Sequence, residues 1–304
     1  MIDLVNVPNQ TTFIVHIDQK STIDDFRLSC KNVEFVDRRI DVSWGTFSVV
    51  EATIELLRHL ESKSFNEKDR FILLSGADLP LWRKEEILTW LNNYPDEIFI
   101  AYDAFPIARL AGGGADRVNN QWVNLSGRKA LIPIAPYKIN RQNVFGFFQL
   151  LKHEPSKLHK FFSLFLKPIK DPRVQEYYFG EMWWSAPVRL VRPLISFLNQ
   201  NKWYINRFRY FKVPDESFFQ TLFMLPEFQK ILSQNRFKLE NQCLTFVEWS
   251  DYRWPRPTTF IPEDFWSLLP ARKTRQFLFA RKFNLNSETM LENYRATLLN
   301  ETSH

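Results

Sequence analysis

Short apolar runs alternate with longer amphipathic stretches along the first third of the chain. The short runs are rich in β-branched and aromatic residues, which favour strands, and the longer stretches repeat apolar positions at helical spacing. They predict strands at Thr12–Ile17, Val33–Val36, Phe71–Leu74 and Glu97–Tyr102, and helices at Phe47–Leu60 and Lys84–Leu91. Because this alternation is typical of α/β folds, we expect a mostly parallel, Rossmann-like sheet flanked by helices.

The regular pattern is lost in Ala104–Lys138, which is predicted to be a long loop or small insertion. Beyond it, Phe145–Leu166 has the pattern of an aromatic-rich helix, and Gly180–Ser185 that of a strand entering a helix. A late strand is expected at Leu244–Trp249, and the chain closes with a helix. The sequence shows no repeat, low-complexity tract or clean domain boundary, so residues 1–304 are expected to form a single domain.

The stretch Val213–Met224 combines a helix-start pattern with a carboxylate on an apolar face. Pro214 fits the first turn of a helix, and the acids after it favour the positive end of the helix dipole. Helical spacing puts Glu216 on the stripe of Phe219 and Phe223, so we expect its carboxylate to be partly buried. An acid-rich helix start explains this local pattern by itself. The alternative is a general base held by a rigid element.

Amino-acid composition indicates the broad class of protein, but it does not identify the ligand. The 304 residues are 45% apolar, enough for a sizeable core, and the aromatic content of 16% is high. A formal charge of +6 suggests an anionic partner such as nucleotide phosphate, nucleic acid or an acidic membrane surface. The two cysteines, Cys30 and Cys243, allow no disulfide framework or zinc spacing, which fits a reducing cytosol. No apolar run is long enough to span a membrane, so any membrane contact is expected to be peripheral.

Six stretches, in order along the chain, resemble the core-2/I-branching family of β-1,6-N-acetylglucosaminyltransferases, which also includes the protein xylosyltransferases. They are V-H-I-D-Q-K-S (Val15–Ser21), V-S-W-G-T-F-S-V-V-E-A-T (Val42–Thr53), L-L-S-G-A-D-L-P-L (Leu73–Leu81), F-G-E-M-W-W-S (Phe179–Ser185), V-P-D-E-S-F-F-Q-T (Val213–Thr221) and L-F-A-R-K-F-N (Leu278–Asn284). Each stretch alone is weak, but six in sequence are specific. The resemblance implies a GT-A-type fold, a UDP-sugar donor and inversion at the anomeric carbon. It implies a nucleotide-binding half at about residues 1–103 and an acceptor and catalytic half at about residues 104–304.

On the donor side, the resemblance implies basic side chains in place of a metal. The sequence has no D-x-D motif, which most GT-A enzymes use to hold a metal on the diphosphate, so no metal cofactor is expected. The family's lysine for the departing UDP falls on Lys282, with Arg281 beside it. A second basic residue falls on Arg256, with Arg253 as the alternative. Asp18 matches the nucleotide-contacting end of a strand and is expected to bind the uridine.

On the acceptor side, the chemistry needs one group that removes a proton. In an inverting transfer the acceptor hydroxyl attacks from the face opposite the departing UDP, and one carboxylate takes its proton. The resemblance assigns this role to Glu216. It makes Trp249 a platform for the acceptor sugar, with core packing as an equal alternative, and puts Glu181 and Trp183 along the acceptor cleft. Asp78 also matches a family position, but an acid that caps a turn is the preferred interpretation.

The leading hypothesis is an inverting, metal-independent bacterial enzyme that moves β-linked N-acetylglucosamine from a UDP-sugar to a glycan or lipid-linked glycan, with a 1→6 linkage expected. We expect it in the cytoplasm, with peripheral contact at the inner face of the plasma membrane. Relatives usually begin with one more strand and a helix, so either the start is misassigned or the uridine pocket is incomplete. The alternatives are transfer of xylose or another hexose, a non-catalytic protein that binds nucleotide-sugars or glycans, and a basic nucleic-acid binder.

Overall fold

The computed structural model describes residues 2–23, 26, 31–125, 130–167, 169, 171–249, 257–274, 277–284 and 288–296. Its helices are α1 (Ile2–Val5), α2 (Ser48–Glu61), α3 (Lys84–Asn92), α4 (Ala115–Asn119), α5 (Arg141–His153), α6 (Leu158–Phe165), α7 (Val191–Gln200), α8 (Lys202–Phe208), α9 (Phe218–Met224), α10 (Pro226–Gln234), α11 (Phe265–Lys273) and α12 (Glu288–Tyr294). Within the described residues, none of these helices has the length and apolar character needed to cross a membrane.

The strands are β1 (Phe13–Val15), β2 (Val33–Phe35), β3 (Arg70–Ile72), β4 (Asp78–Pro80), β5 (Glu97–Ile100), β6 (Asp103–Ala104), β7 (Gln121–Leu125), β8 (Ala130–Ile134), β9 (Tyr178–Phe179), β10 (Trp184–Pro187), β11 (Lys238–Glu240), β12 (Thr245–Val247) and β13 (Phe279–Arg281). Strands and helices thus begin close to most of the positions predicted in the first third of the chain.

The strands form several small, mixed sheets. The largest has the order β11-β5-β10-β3, and β10 is antiparallel to both of its neighbours. A second sheet has the order β12-β13-β4, in which β4 is antiparallel to β13. Parallel pairing joins β1 to β2, β5 to β11 and β12 to β13. The prediction of a mostly parallel, Rossmann-like sheet is therefore wrong, whereas the broader α/β prediction is confirmed.

The sheet is mixed because a strand from later in the sequence lies between two strands from the first third of the chain. β10 lies between β3 and β5, so the early β–α alternation does not give their order in the sheet. Arg70 in β3 ties the three strands together, since its guanidinium donates to Ser185 Oγ at 3.2 Å and to the Glu97 carbonyl at 2.7 Å. Burial lowers the pKa of Arg70 to about 10, yet the side chain stays a cation at neutral pH.

An aromatic cluster packs α9 against β10. Phe218, Phe219 and Phe223 of α9 are buried, and the Trp184 ring lies 4.9 Å from Phe219 and 5.3 Å from Phe223, centroid to centroid. Burying one such side chain contributes about 1.5–3 kcal/mol to folding. This packing fixes α9, and with it the turn that precedes α9.

The helix predicted at Val213–Met224 is divided into two parts. Pro214–Glu216 form a short 3₁₀ turn, Ser217 has φ −145° and ψ −20°, and α9 begins only at Phe218. Glu216 therefore does not lie on the apolar stripe of α9, and the spacing argument for it is wrong. The expected partial burial is nevertheless confirmed, because the Glu216 side chain is 26% exposed.

The segment Ala104–Lys138, predicted as a loop, contains regular structure. α4 is followed by an antiparallel hairpin of β7 and β8. Val123 and Leu125 of β7 are buried in a cluster that includes Leu150 of α5 and Phe161 of α6. Of the two alternatives predicted for this segment, the long loop is wrong and the small insertion fits the structure. The hairpin is stabilised by helices that come later in the chain. The helix predicted at Phe145–Leu166 is in fact the pair α5 and α6.

Candidate functional site

Two short segments meet at the centre of the candidate site. Gly180–Trp183 joins β9 to β10, and Pro214–Glu216 precedes α9. The backbone N–H of Gly180 donates to the carbonyl of Glu216 at 2.8 Å. A Cβ atom at position 180 would lie 1.8 Å from the carbonyl oxygen of Ala101, so only glycine lets this segment approach the backbone that follows β5 so closely.

Glu216 is held by one direct ion pair. Nη1 of Arg117, in α4, donates to Oε2 of Glu216 at 2.5 Å. The Arg117 side chain is 13% exposed, so the pair is shielded but still reachable from solvent. The guanidinium also lies 5.7 Å from the ring centroid of Phe179. Among the described residues, no group donates to Oε1 of Glu216, so one oxygen is held in place while the other can accept a proton.

The turn that carries Glu216 begins at a strained residue. Val213 has φ +51° and ψ +57°, a left-handed conformation that is costly for a β-branched side chain. Its N–H donates to the carbonyl of Gly45 at 2.9 Å, and Gly45 itself has φ +74°. This hydrogen bond fastens the turn to the segment that leads into α2.

Asp215 lies beside Glu216, but one of its carboxyl oxygens is enclosed. Its Oδ1 is buried and has no hydrogen-bond partner in the described part of the chain. Burial and the neighbouring Glu216 charge raise the pKa of Asp215 from an ordinary 3.8 to about 7, against the opposing charge of Arg117. The residue next to Glu216 therefore loses its proton at a much higher pH than an exposed aspartate does.

Glu181 is the third acid of the cluster, and it contacts a predicted acceptor-side aromatic. Nε1 of Trp249 donates to Oε1 of Glu181 at 3.0 Å, and Trp249 is 46% exposed. The side-chain amide of Gln220 donates to the Glu181 carbonyl at 2.7 Å. Burial and the Glu216 charge raise the pKa of Glu181, although the Trp249 hydrogen bond acts in the opposite direction.

Arg281, at the end of β13, has an acidic partner within the protein. Its Nη1 lies 3.3 Å from Oδ1 of Asp78 and 3.2 Å from Oγ of Ser75, and its guanidinium lies 4.4 Å from the ring centroid of Trp183. Burial raises the pKa of Asp78, which Arg281 opposes. Asp78 also accepts from the N–H and hydroxyl of Ser75, at 2.6 and 2.9 Å, so the turn-capping role preferred for it is present.

Lys282 directly follows β13 and differs from Arg281 in its partners. Its side chain is half-buried, and within the described residues its ammonium forms no ion pair. Its backbone is fixed on both sides, because its N–H donates to Thr258 at 3.3 Å and its carbonyl accepts from Phe260 at 2.7 Å. The two residues predicted to assist it, Arg256 and the alternative Arg253, lie outside the described residues.

Asp18 lies just beyond the carboxyl end of β1, as predicted. Its Oδ1 accepts from the backbone N–H of Lys20 and contacts the ammonium of Lys20, both at 3.0 Å. Burial acts against ionisation, but these two donors keep the pKa of Asp18 below its ordinary value. Arg39 donates to the Asp18 carbonyl at 2.7 Å. The strand edge thus presents an ionised carboxylate that is paired with Lys20.

The predicted residues therefore fall into two groups. Glu216, Glu181 and Trp249 form one connected network, and the Arg281 charge acts on Glu181, so the end of β13 adjoins it. In the described part of the chain, no direct contact joins Asp18 to these acids. The Gly45–Val213 hydrogen bond described above joins the turn of Glu216 to the segment before α2, which follows the loop of Asp18 in the chain.

Sequence reasoning does not identify Arg117 or Gly180 as site residues, and it assigns Asp215 only to a helix start. Arg117 precedes its partner Glu216 by 99 residues and lies in a segment without periodic pattern, so nothing local marks it. For Asp215 a signal does exist. The side chains of two adjacent acids leave the backbone in different directions, so before a buried helix one of them faces the core and carries the free-energy cost of burial.

Comparison with known proteins gives a family match for the first part of the chain. Residues 4–129 match the family model described as Core-2/I-Branching enzyme. This match confirms the resemblance for the first three of the six stretches, at Val15–Ser21, Val42–Thr53 and Leu73–Leu81. The other three stretches lie outside the matched residues. The matched part includes Asp18 and Arg117, whereas Glu181, Glu216 and Lys282 lie beyond it. No curated protein matches the chain.

Proposed function

We propose that this chain transfers a sugar from a UDP-sugar to a glycan acceptor with inversion at the anomeric carbon. The match of residues 4–129 to the core-2/I-branching family model supports a glycosyltransferase. The proposed donor is UDP-N-acetylglucosamine and the proposed product is β-1,6-linked, because the sequence stretches resemble that branch of the family. The proposed reaction needs no metal, since the sequence lacks a D-x-D motif. The observation that carries the mechanism is the half-buried Glu216 carboxylate, held through one oxygen by Arg117.

In the proposed step, Glu216 accepts the proton of the acceptor hydroxyl. The hydroxyl oxygen bonds to the anomeric carbon while the bond from that carbon to the UDP oxygen breaks, and the electron pair leaves with UDP. Arg117 fixes the direction of the carboxylate, which favours the single geometry that the attack requires. The positive charge of Arg117 also offsets the electrostatic repulsion that Glu181 and Asp215 exert on Glu216.

Lys282 is proposed to stabilise the departing diphosphate. Negative charge grows on UDP as the glycosidic bond breaks, and a cation placed there stabilises the transition state. Lys282 suits this role better than Arg281, because Arg281 already neutralises the buried Asp78. Arg281 is instead proposed to hold the end of β13 in place.

The acceptor is proposed to bind against Trp249. The exposed indole offers an apolar face to a sugar ring, while its N–H is occupied by Glu181. The remaining oxygen of Glu181 is then available to a sugar hydroxyl. This arrangement supports a glycan acceptor, although it does not select the linkage.

Replacing Glu216 with Gln tests the proposal directly. Gln keeps the shape of the side chain and cannot take the proton, so turnover with UDP-N-acetylglucosamine is expected to fall by about 10²–10⁴-fold. Binding of UDP, measured by calorimetry, is expected to stay unchanged. The matched control is Glu227→Gln, which removes an exposed acid in α10 and should leave turnover unaltered.

A screen of UDP-sugars for hydrolysis and thermal stabilisation identifies the donor. Turnover of UDP-xylose or UDP-glucose alone would overturn the proposed donor and keep the glycosyltransferase. Wild-type turnover in Glu216→Gln would remove Glu216 from the chemistry. If no UDP-sugar stabilises the protein or is consumed, a UDP-sugar transferase is excluded.

A further inference from the structure

The outer face of α5 and α6 is unusually apolar for a protein surface. Of the fourteen large hydrophobic side chains that are exposed in the described residues, eight lie between positions 137 and 166. They are 46–92% exposed and comprise Tyr137, Ile139, Val144, Phe145, Phe148, Leu151, Phe162 and Leu166. We refer to these eight residues as the α5–α6 apolar surface. Large exposed apolar patches usually mark interaction sites, whereas single exposed apolar residues are common on any protein surface.

Two sets of contacts join parts of this surface that lie on different elements. Phe147 bridges the two helices, since its ring centroid lies 5.7 Å from that of Phe148 and 5.9 Å from that of Phe162. Tyr137 ties the preceding loop to the end of α6, because its hydroxyl donates to the carbonyl of Leu166. Buried side chains on the opposite faces of both helices pack on the β7–β8 hairpin. The apolar surface is therefore the side of a rigid unit that faces away from its core.

The segment that carries the apolar surface is also rich in positive charge. Residues 137–167 contain six lysines and arginines and a single acid, Glu154, whereas the whole chain has a formal charge of only +6. The acid is paired with Lys157 at 2.6 Å. The other basic residues are exposed and comprise Lys138, Arg141, Lys152, Lys160 and Lys167. With six basic residues and one acid, this segment has a net formal charge of +5, close to that of the whole chain.

We propose that the α5–α6 apolar surface docks on an anionic lipid bilayer. Aromatic and aliphatic side chains can enter the boundary between headgroups and acyl chains, while the lysines and arginine of the same segment contact lipid phosphates. A symmetric dimer through the same face is disfavoured, because it would bring two strongly positive surfaces together. An acidic bilayer matches both the apolar character and the charge.

The docking surface is coupled to the candidate site through α4. The side-chain amide of Gln142, in the first turn of α5, donates to Oδ1 of Asn120 at 3.3 Å, directly after the helix that carries Arg117. A bilayer at α5 would therefore be connected, through this hydrogen bond, to the end of the helix that supplies the partner of Glu216. The docking itself does not depend on the proposed function, because it rests on surface residues alone.

Sedimentation with vesicles tests this proposal. The full chain is expected to bind vesicles of equal parts phosphatidylglycerol and phosphatidylcholine, and not vesicles of phosphatidylcholine alone. In about 1 M salt, where the Debye length is about 3 Å, binding should be largely lost. The double variant Phe145→Ser/Phe148→Ser is expected to reduce partitioning by roughly 100-fold, since each of the two rings leaving water contributes about a factor of ten. Trp266→Ser, which removes an exposed aromatic in α11, is the matched control and should bind like wild type.

The substituted rings are exposed, so the double variant should keep the wild-type thermal unfolding profile, and a cooperative transition verifies that it is folded. Binding that is lost in the double variant and kept in Trp266→Ser supports the proposal. Absence of binding to anionic vesicles at low salt would overturn it, as would equal binding by wild type and double variant. Sedimentation equilibrium tests whether a second copy of the chain occupies this surface instead of a bilayer. A wild-type dimer that the double substitution dissociates would show that a second copy covers the surface, and it would overturn the proposal.

Discussion

Asp215 provides a test of the site that needs no substrate. Its carboxyl titrates at about 7 in the folded protein, whereas its ordinary pKa is 3.8. Between these values the folded protein holds a proton that the unfolded chain has lost. The stabilisation from this proton is complete below pH 3.8 and is lost as pH rises through 7. Replacing Asp215 with Asn keeps the shape of the side chain and removes the titration.

The size of the effect follows from the two pKa values. A difference of about three pKa units corresponds to about 4 kcal/mol, at about 1.4 kcal/mol for each unit. Part of the loss occurs below pH 5, so roughly 3 kcal/mol remains to be lost between about pH 5 and pH 8.5. Relative to Asp215→Asn, the free energy of unfolding of the wild type should therefore fall by that amount over this range.

Urea unfolding of both proteins at the two pH values measures the difference. Burial also raises the pKa of Asp78 and Glu181, so both acids contribute to the pH dependence of unfolding. The change in unfolding free energy between the two pH values is taken for each protein, and the difference between the two changes removes most of the contribution that Asp78 and Glu181 make to both. The matched control is Asp171→Asn, because the Arg173 hydrogen bond lowers the pKa of Asp171 and confines its effect to more acidic solution. The same pH dependence in the wild type and in Asp215→Asn would refute the argument from burial.

Other predictions concern the leaving group and the backbone. Transfer should survive EDTA, and a loss that Mn²⁺ restores would contradict metal independence. Lys282→Ala should weaken UDP binding by roughly 10–150-fold, the equivalent of about 1.5–3 kcal/mol, in calorimetry. Lys230→Ala, at an exposed position in α10, is its control, and equal affinities would exclude Lys282 from the site. Gly180→Ala should lower the free energy of unfolding by about 1–3 kcal/mol or more, because its Cβ would collide with a carbonyl. Gly76→Ala, where a Cβ meets nothing within 4 Å, should be nearly neutral in the same measurement.

The early elements could be predicted because their signals are local. Helix α2 begins within one residue of the predicted helix, and β1 and β2 lie within the predicted strands. Apolar spacing along a helix or strand reflects which face meets the core, so it is visible without knowing what the core contains. The partial burial of Glu216 was also predictable, although the spacing used to predict it assumed a continuous helix that Ser217 interrupts.

Contacts between distant segments could not be predicted in this way. The order of strands in the largest sheet depends on β10, which enters between β3 and β5 from a much later part of the chain. The hairpin of β7 and β8 has few local signals, because α5 and α6 supply the apolar surface that covers it. In both cases the stabilising partner is distant in sequence, so no window of neighbouring residues contains the information.

The sequence by itself determined which residue types carry the proposed chemistry: a carboxylate in the P-D-E stretch, an aromatic near Trp249 and a basic pair at Arg281 and Lys282. Only the tertiary structure decided their partners. It assigns Arg117 to Glu216 across 99 residues and Arg281 to Asp78 across 203 residues. The physical reason is that a side chain's identity is local, whereas the burial and charge that set its behaviour come from whichever segments the fold packs around it.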